Sequence, residues 1–389
     1  MMEYVESVSD DNIYGNGIVK QNGLVIFVKG SIKGEKIKFG LIKNEKRFSF
    51  GKLIRVIKKS ENREKPVCKY YDMCGGCHLM HINKVYEEKV KYNYIKDYFS
   101  NYCVKDIIPF SNSYRNKITL HVKDNILGFY REETNEIIDV DKCMLVSDKI
   151  NKVISAIKKL DLKEVKEIII RESYTTGEVL VKFDGDVCYK DLCNIVHSIY
   201  INNKKVYGKD YITEVIDNIT YTIYPDSFFQ VNTVMMKKLY DLVKLYAGCG
   251  NRLLDLYCGT GTIGIYLKDN YKDVLGIELN KKAILNANIN KEINNIKNIS
   301  FKCMDCKDIK EDYYDTVVVD PPRSGMNKKT IKFLNDMKSK KLIYVSCNPT
   351  TLKRDIKLLD SYSVCEITPV NIFYRTSHIE SVCLLESKF

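Results

Sequence analysis

The spacing of hydrophobic and polar positions changes twice along this chain. Over the first sixty residues, short β-branched runs such as 24–28 and 36–39 alternate with Gly17, Gly23, Gly30, Gly34 and Gly51. Short apolar runs broken by turn glycines predict a small all-β barrel. A helix is predicted over 84–99, followed by mixed strands and helices to about residue 220. From about residue 250, apolar strands predicted at 252–256, 274–278, 316–320 and 342–346 alternate with helical stretches at 263–267, 281–293 and 327–338. That alternation predicts an α/β fold with a parallel, doubly wound sheet. No internal repeat or low-complexity linker interrupts the pattern, and boundaries are expected at 1–60, 61–222 and 223–389.

Composition adds a partner and a compartment. The net charge is +12, and residues 1–66 hold fourteen Lys and Arg against eight Asp and Glu. A small basic barrel with aromatics such as Tyr14, Phe27 and Phe39 suits a polyanion, held by phosphate contacts and stacking. A lysine-rich surface kept for solubility would look the same by charge alone. No apolar run is long enough for a membrane span. The acidic start (Glu3, Glu6, Asp10, Asp11) lacks the basic and apolar regions of a signal peptide. A cytoplasmic location is therefore expected. There the fourteen cysteines stay reduced and point to metal binding or catalysis before disulfides.

Three groups of residues carry chemistry. The first predicted strand of the α/β region runs into Tyr257-Cys258-Gly259-Thr260-Gly261-Thr262-Ile263-Gly264. Glycines there let the backbone turn sharply and come close to a ligand. Glu278 ends the next strand, seventeen residues after Gly261, where a carboxylate can accept both hydroxyls of a ribose. The glycines alone fit a dinucleotide or S-adenosylmethionine. Asp255 before the loop favours the latter, because Asp255 to Gly261 is similar to the first motif of class I methyltransferases.

The second group lies at two later strand ends, Asp320-Pro321-Pro322-Arg323-Ser324-Gly325 and Ser346-Cys347-Asn348-Pro349-Thr350. Ligands of open parallel sheets sit outside the carboxyl ends of the strands, so Asp320 and Cys347 should share the cofactor's rim. Thr350 is expected to cap the following helix. Arg323 stands where many amino-group methyltransferases carry an aromatic residue, which leaves the chemistry to the thiol. A thiolate adding to carbon 6 of uracil turns carbon 5 into a methyl acceptor, and a base must then take the carbon 5 proton. Glu380, in His378-Ile379-Glu380-Ser381 ahead of an apolar strand at 382–385, is the candidate base. The third group is Cys68, Cys74-Gly75-Gly76-Cys77 and the distant Cys143, four thiols able to hold zinc or an iron–sulfur cluster. The pair Cys303 and Cys306 has no partner pair nearby.

Taken together, these motifs resemble the RNA (uracil-5-)-methyltransferase family over essentially the whole chain, and most closely its branch acting on 23S large-subunit ribosomal RNA. The resemblance rests also on Tyr114-Arg115-Asn116-Lys117 and Ser227-Phe228-Phe229-Gln230-Val231-Asn232. It implies a Rossmann-like S-adenosylmethionine-dependent methyltransferase domain, a TRAM-like RNA-binding barrel and a central α+β domain with a 4Fe–4S cluster on Cys68, Cys74, Cys77 and Cys143. It implies Cys347 as nucleophile and Glu380 as base, with cofactor contacts from Gln230, Tyr257, Thr262, Glu278, Asp305 and Asp320. The expected product is 5-methyluridine, made by a monomer without an obligate protein partner. Transfer RNA is the alternative substrate. A binding factor that no longer methylates is the alternative class, and intact Cys347, Glu380 and the glycine loop speak against it.

Overall fold

The computed structural model describes residues 3–389 apart from 22, 46, 111–113 and 310–312. The first sheet holds β1 (Glu3–Ser7), β2 (Asp10–Asp11), β3 (Asn16–Gln21), β4 (Leu24–Lys29), β5 (Lys36–Asn44) and β6 (Phe48–Lys58), in the order β1-β5-β6-β4-β3-β2. Only Val8 and Ser9 separate the two edge strands, so one bent stretch of chain borders both ends of the sheet and rolls it up. Val19, Ile26, Val28, Ile37 and Phe39 fill the inside. Gly15 lies where this sheet meets the cysteine segment. A Cβ there would stand 2.1 Å from the His78 carbonyl oxygen, and its φ is +75°. Both constraints require glycine.

Helix α1 (Lys84–Tyr98) follows the cysteine segment and starts where the Asn83 side chain accepts the Tyr86 N–H. Its buried stripe is Glu87, Val90, Lys91 and Ile95, helical spacing with two charges in it. Those charges are tolerable inside because they pair: Lys91 Nζ lies 2.9 Å from Glu87, and both side chains are fully buried.

The second sheet comprises β7 (Lys117–Lys123), β8 (Ile126–Tyr130), β9 (Ile137–Asp139), β10 (Glu167–Glu172), β11 (Val179–Asp184), β12 (Ser198–Ile201) and β13 (Lys204–Gly208), ordered β13-β12-β11-β10-β7-β8-β9. Helix α2 (Asp148–Ile157) packs Ile150, Val153, Ile154 and Ile157 into the same core as Ile118, Leu120, Ile168 and Ile170 of the sheet. A hairpin of β14 (Ile212–Ile216) and β15 (Ile219–Ile223) leads to α3 (Thr233–Ala247).

The third sheet contains β16 (Gly250–Leu256), β17 (Tyr271–Glu278), β18 (Ile299–Cys303), β19 (Thr316–Val319), β20 (Lys341–Ser346), β21 (Tyr362–Val370) and β22 (Glu380–Ser387), in the order β18-β17-β16-β19-β20-β22-β21. Helices α4 (Thr262–Tyr266), α5 (Lys281–Ile293), α6 (Lys328–Met337) and α7 (Pro349–Ile356) connect its strands. Leu253, Val318, Ile343 and Val345 face one apolar core, while Leu254, Val317, Leu342 and Tyr344 face another. Both faces are therefore covered, as a doubly wound sheet requires. The expectation of a parallel sheet needs correction at one edge. β22 runs antiparallel between β20 and β21, against parallel pairing from β18 to β20. Glu380 is accordingly the first residue of β22 rather than a residue preceding it. No helix among the described residues is long and apolar enough to cross a membrane.

The buried pair on α1 gives a stability test. Lys91→Ala removes the nearest buried partner of Glu87 and leaves it only the contacts to Arg375. A loss of about 3–5 kcal/mol is expected in urea unfolding, against under about 0.5 kcal/mol for substitution of a solvent-exposed lysine.

Candidate active site

The order of the third sheet assembles the rim. β16, β19 and β20 run parallel and end at Tyr257, Asp320 and Cys347; reversed β22 begins at the same edge with Glu380. The last ladder pair between β20 and β22 is Ser346 with Ser381, so Cys347 and Glu380 leave its end side by side. They are far apart in sequence, and the antiparallel register alone makes them neighbours.

Two loops are clamped together there. Asn348, not Thr350, caps α7: its Oδ1 accepts the Thr350 N–H at 3.0 Å, with Pro349 at the first helical position. Thr350 already has helical geometry and receives that bond, which is why the expected cap shifts by two residues. The Asn348 Nδ2 donates to the Arg323 carbonyl at 2.9 Å, and the Thr351 hydroxyl donates to the same oxygen at 3.3 Å. Below, Asp355 accepts the Met326 N–H and the Tyr344 hydroxyl, each at 2.8 Å. The segment after Asp320 is thus fixed against α7.

The electrostatics are crowded. Burial pushes the Cys347 thiol up to about 11, with Glu380 and Asp320 adding to the rise. Arg323 opposes them, its nearby positive charge lowering the thiol. Burial holds Asp320 at about 7. Burial and then Asp320 hold Glu380 well above the usual carboxylate range. His378 is pushed down to about 4 by burial and by Arg323, so its neutral ring can accept from Arg323 Nη2 at 3.2 Å. His378 thus orients the cation that serves the thiol. Arg323 had entered the sequence reading only as an argument against amino methylation, and neither this role nor that of His378 was found. Their places inside the quoted motifs were the available signal.

The glycine loop lies at the end of β16. Tyr257 has φ +60°, uncommon for an aromatic residue, and its hydroxyl donates to Thr330 at 3.2 Å. Gly261 has φ +78°, and a Cβ there would stand 2.5 Å from the Phe301 ring. Asp255 is fully buried; its Oδ2 accepts the Gly264 N–H at 2.9 Å, Oδ1 has no protein partner, and burial raises it to about 8. The Glu278 carboxylate accepts from the N–H groups of Gly259 at 3.3 Å and Asn280 at 2.8 Å. A cavity of about 510 Å³ runs from Asp226 and Phe228 to Gly259 and Glu278. Thr262 opens α4 and receives the Tyr240 hydroxyl at 2.8 Å. Asp305 follows β18 and acts electrostatically on Tyr257. Gln230 lies outside the sheet, between β15 and α3. Asn116 donates to its carbonyl at 3.1 Å, while Asn232 donates to the Ile372 carbonyl at 2.9 Å.

Cys68, Cys74, Cys77 and Cys143 line one cavity of about 330 Å³ with Tyr70, Tyr71 and Phe129. Burial raises the thiols of Cys74, Cys77 and Cys143. Among the described residues, no group of three or more His, Cys, Asp or Glu is arranged to hold a metal ion.

An open α/β sheet with a glycine loop, an acid ending the second strand, and a thiol and carboxylates along one rim defines a methyltransferase-type site. The model of the tRNA (uracil-5-)-methyltransferase family matches residues 193–313 and 301–388. An uncharacterised RNA methyltransferase of Clostridium acetobutylicum is 34% identical over 99% of this chain and 97% of its own length. One from Staphylococcus epidermidis is 33% identical over 96% and 95%. The crystal structure of the Pyrococcus abyssi tRNA (uracil-54, C5)-methyltransferase with S-adenosyl-L-homocysteine superposes with a TM-score of 0.83 at 30% identity, covering 98% of this chain and 99% of that one. The chain belongs to the RNA uracil-5-methyltransferase family.

The thiol's neighbours set the sign of a pH test. In the free protein, alkylation of Cys347 by iodoacetamide should rise with a midpoint near about 11. Glu380→Gln removes a like charge and should lower that midpoint; Arg323→Met removes the cation and should raise it. Movement in the opposite directions would show that these groups do not face the thiol.

Proposed function

We propose that this protein transfers a methyl group from S-adenosylmethionine to carbon 5 of a uridine in 23S ribosomal RNA through a covalent Cys347 adduct. The observation that carries this reading is the pairing of Cys347 with Glu380 at the strand-end rim, with Arg323 on the thiol. The positive-φ loop, the free Asp255 oxygen and the Glu278 carboxylate beside a cavity fit the cofactor. Gln230, Tyr257, Thr262, Glu278, Asp305 and Asp320 would hold it. When bound, it supplies an electrophilic methyl group.

The chain's own residues do the rest. Arg323, steadied by His378, favours the thiolate form of Cys347. The thiolate bonds to carbon 6 of the uracil, and the ring's electron pair moves onto the carbon 5–carbon 4–oxygen unit. Carbon 5 then takes the methyl group. Glu380, as carboxylate, removes the carbon 5 proton; the carbon 5–carbon 6 double bond re-forms and the sulfur leaves with its electron pair. The buried, raised carboxyl of Glu380 is a strong enough base for that proton once ionised.

The substrate side rests on charge and on the rolled sheet, which we read as the TRAM-like domain of residues 1–60 and place ahead of an iron–sulfur domain, 61–222, and a methyltransferase domain, 223–389. Its outer face aligns Phe27 with Phe50 and Val25 with Phe48 between β4 and β6. The three phenylalanine rings lie 5.6–6.0 Å apart outside the core, Lys29 and Lys52 stand on the same strands, and Lys20 on β3 pairs with Val25 beside them. Such a face suits unstacked bases flanked by phosphates. Transfer RNA is the second reading, favoured by the likeness to the Pyrococcus abyssi enzyme. We read the cavity that all four cysteines line as the place of a 4Fe–4S cluster. The cluster would crosslink the segment holding Cys68, Cys74 and Cys77 to that holding Cys143, and methyl transfer consumes no electron. We place the reaction in the cytoplasm, where such thiols stay reduced.

Anaerobically purified protein should carry about four iron and four labile sulfide, and Cys74→Ser should lose both. With labelled cofactor and unmodified RNAs, label is expected at carbon 5 of 23S uridines; label in transfer RNA alone overturns the ribosomal substrate. Cys347→Ala should form no denaturation-resistant RNA adduct, whereas Glu380→Gln should accumulate it. Replacing Phe48 and Phe50 together by Ala should weaken RNA binding by about 1–3 kcal/mol per base lost. Lys52→Gln should instead reduce the salt slope by about one unit.

A further inference from the structure

The loop at 371–379, between β21 and β22, delivers Glu380 to the rim, yet its anchors lie in other parts of the chain. Lys91 Nζ donates to Asn371 Oδ1 and to the Phe373 carbonyl, both at 2.8 Å. The Tyr114 hydroxyl donates to the Tyr374 carbonyl at 2.9 Å. Arg375 gathers the remaining contacts. Its N–H donates to Glu87 Oε1 at 2.9 Å. Its carbonyl accepts the N–H groups of His78 at 2.8 Å and Leu79 at 3.1 Å, the two residues directly after Cys77. Its guanidinium donates to the carbonyls of Leu79 and Ile82, pairs with Glu64 at 3.3 Å, and lies 4.4 Å over the Tyr374 ring.

This residue is held at φ +65°. A long side chain in the left-handed region costs of order 1 kcal/mol and persists only where its surroundings over-determine it. The chain continues through Thr376, whose hydroxyl accepts the His378 N–H at 3.2 Å. His378 then meets Arg323, and Arg323 meets the thiol. A series of contacts thus runs from the cysteine segment to Arg323, the cation beside Cys347.

We propose that Arg375 is a positioning residue for methyl transfer: it clasps the 371–379 loop to the segment after Cys77 and so sets His378, Arg323 and Glu380 relative to Cys347. The order of the cysteine segment then reaches the active site by direct contact, without any electron leaving it. This inference rests on the roles given above to Cys347 and Glu380. Its test includes a readout independent of methylation.

The variants are Arg375→Gly, which keeps the left-handed backbone and removes the guanidinium, and Arg375→Ala, which disturbs both. Single-turnover methyl transfer should fall by roughly ten- to a hundredfold in Arg375→Gly, and further in Arg375→Ala, with KM for RNA and for the cofactor within about twofold of the parent. The pH midpoint of Cys347 alkylation should rise in both as Arg323 loses its orientation. An unchanged rate, or losses of rate and affinity together with an unmoved midpoint, overturns the proposal and leaves Arg375 a general stabiliser. If no RNA is methylated even by the parent, the proposed function fails while the alkylation midpoint still decides the role of Arg375. Should both variants fail to fold, Glu64→Gln removes only the outer contact of the clasp. A smaller rise of the midpoint is then expected, and no rise overturns the proposal.

Discussion

The reversal of one strand governs the active rim. In an all-parallel sheet, every strand would end at the ligand-bearing edge and none would begin there. By running antiparallel between β20 and β21, β22 brings its first residue to that edge, beside the residue that follows β20. The proposed nucleophile and base are therefore set by backbone ladder bonds rather than by flexible side-chain reach. The two apolar cores hold this register, because a slip of one residue would send Val382 and Leu385 each into the opposite core, whose packing they do not fit.

The rim resolves a conflict between opposite needs. The base needs a raised affinity for its proton, and the nucleophile needs to lose one. Burial raises both; Glu380 and Asp320 raise the thiol further, and Asp320 raises Glu380. One guanidinium, Arg323, counters this at both groups. It works only if held in place, which explains the density of bonds around its loop: Asn348 and Thr351 on its carbonyl, Arg354 on the Ser324 and Met326 carbonyls, and neutral His378 on its side chain. A charged imidazole would repel the guanidinium, so the burial of His378 is part of the same arrangement.

Distant segments converge on this rim through buried polar contacts. Asn116 joins the segment at Gln230 to the second sheet, Asn232 joins it to the 371–379 loop, and Lys91 with Glu87 joins that loop to α1. Each contact satisfies a backbone carbonyl or N–H that burial would otherwise leave unpaired. The motifs Tyr114 to Lys117 and Ser227 to Asn232 thereby serve as joints between segments. The cysteine cavity touches the same region through Val231 and Arg115.

Much of this was legible in the chain itself. The glycine loop between two apolar strands, Glu278 at the end of the second, and the Asp320 and Cys347 strand ends are local patterns, and local backbone preference with side-chain periodicity suffices to place them. The pattern Asn348-Pro349-Thr350 also held its own cap, since asparagine before proline is a preferred helix start. The reversed strand was not legible: an apolar run reads alike in either direction, and only its neighbours choose. The contact of Arg323 with the thiol, the neutral His378 and the buried Lys91–Glu87–Arg375 knot were equally invisible, because a charged residue in a sequence gives no sign of its burial or of a partner hundreds of positions away. Sequence by itself determined the elements and the chemical groups available; tertiary packing decided which groups meet and in what state of protonation, because both depend on the dielectric and the neighbours that only the folded chain supplies.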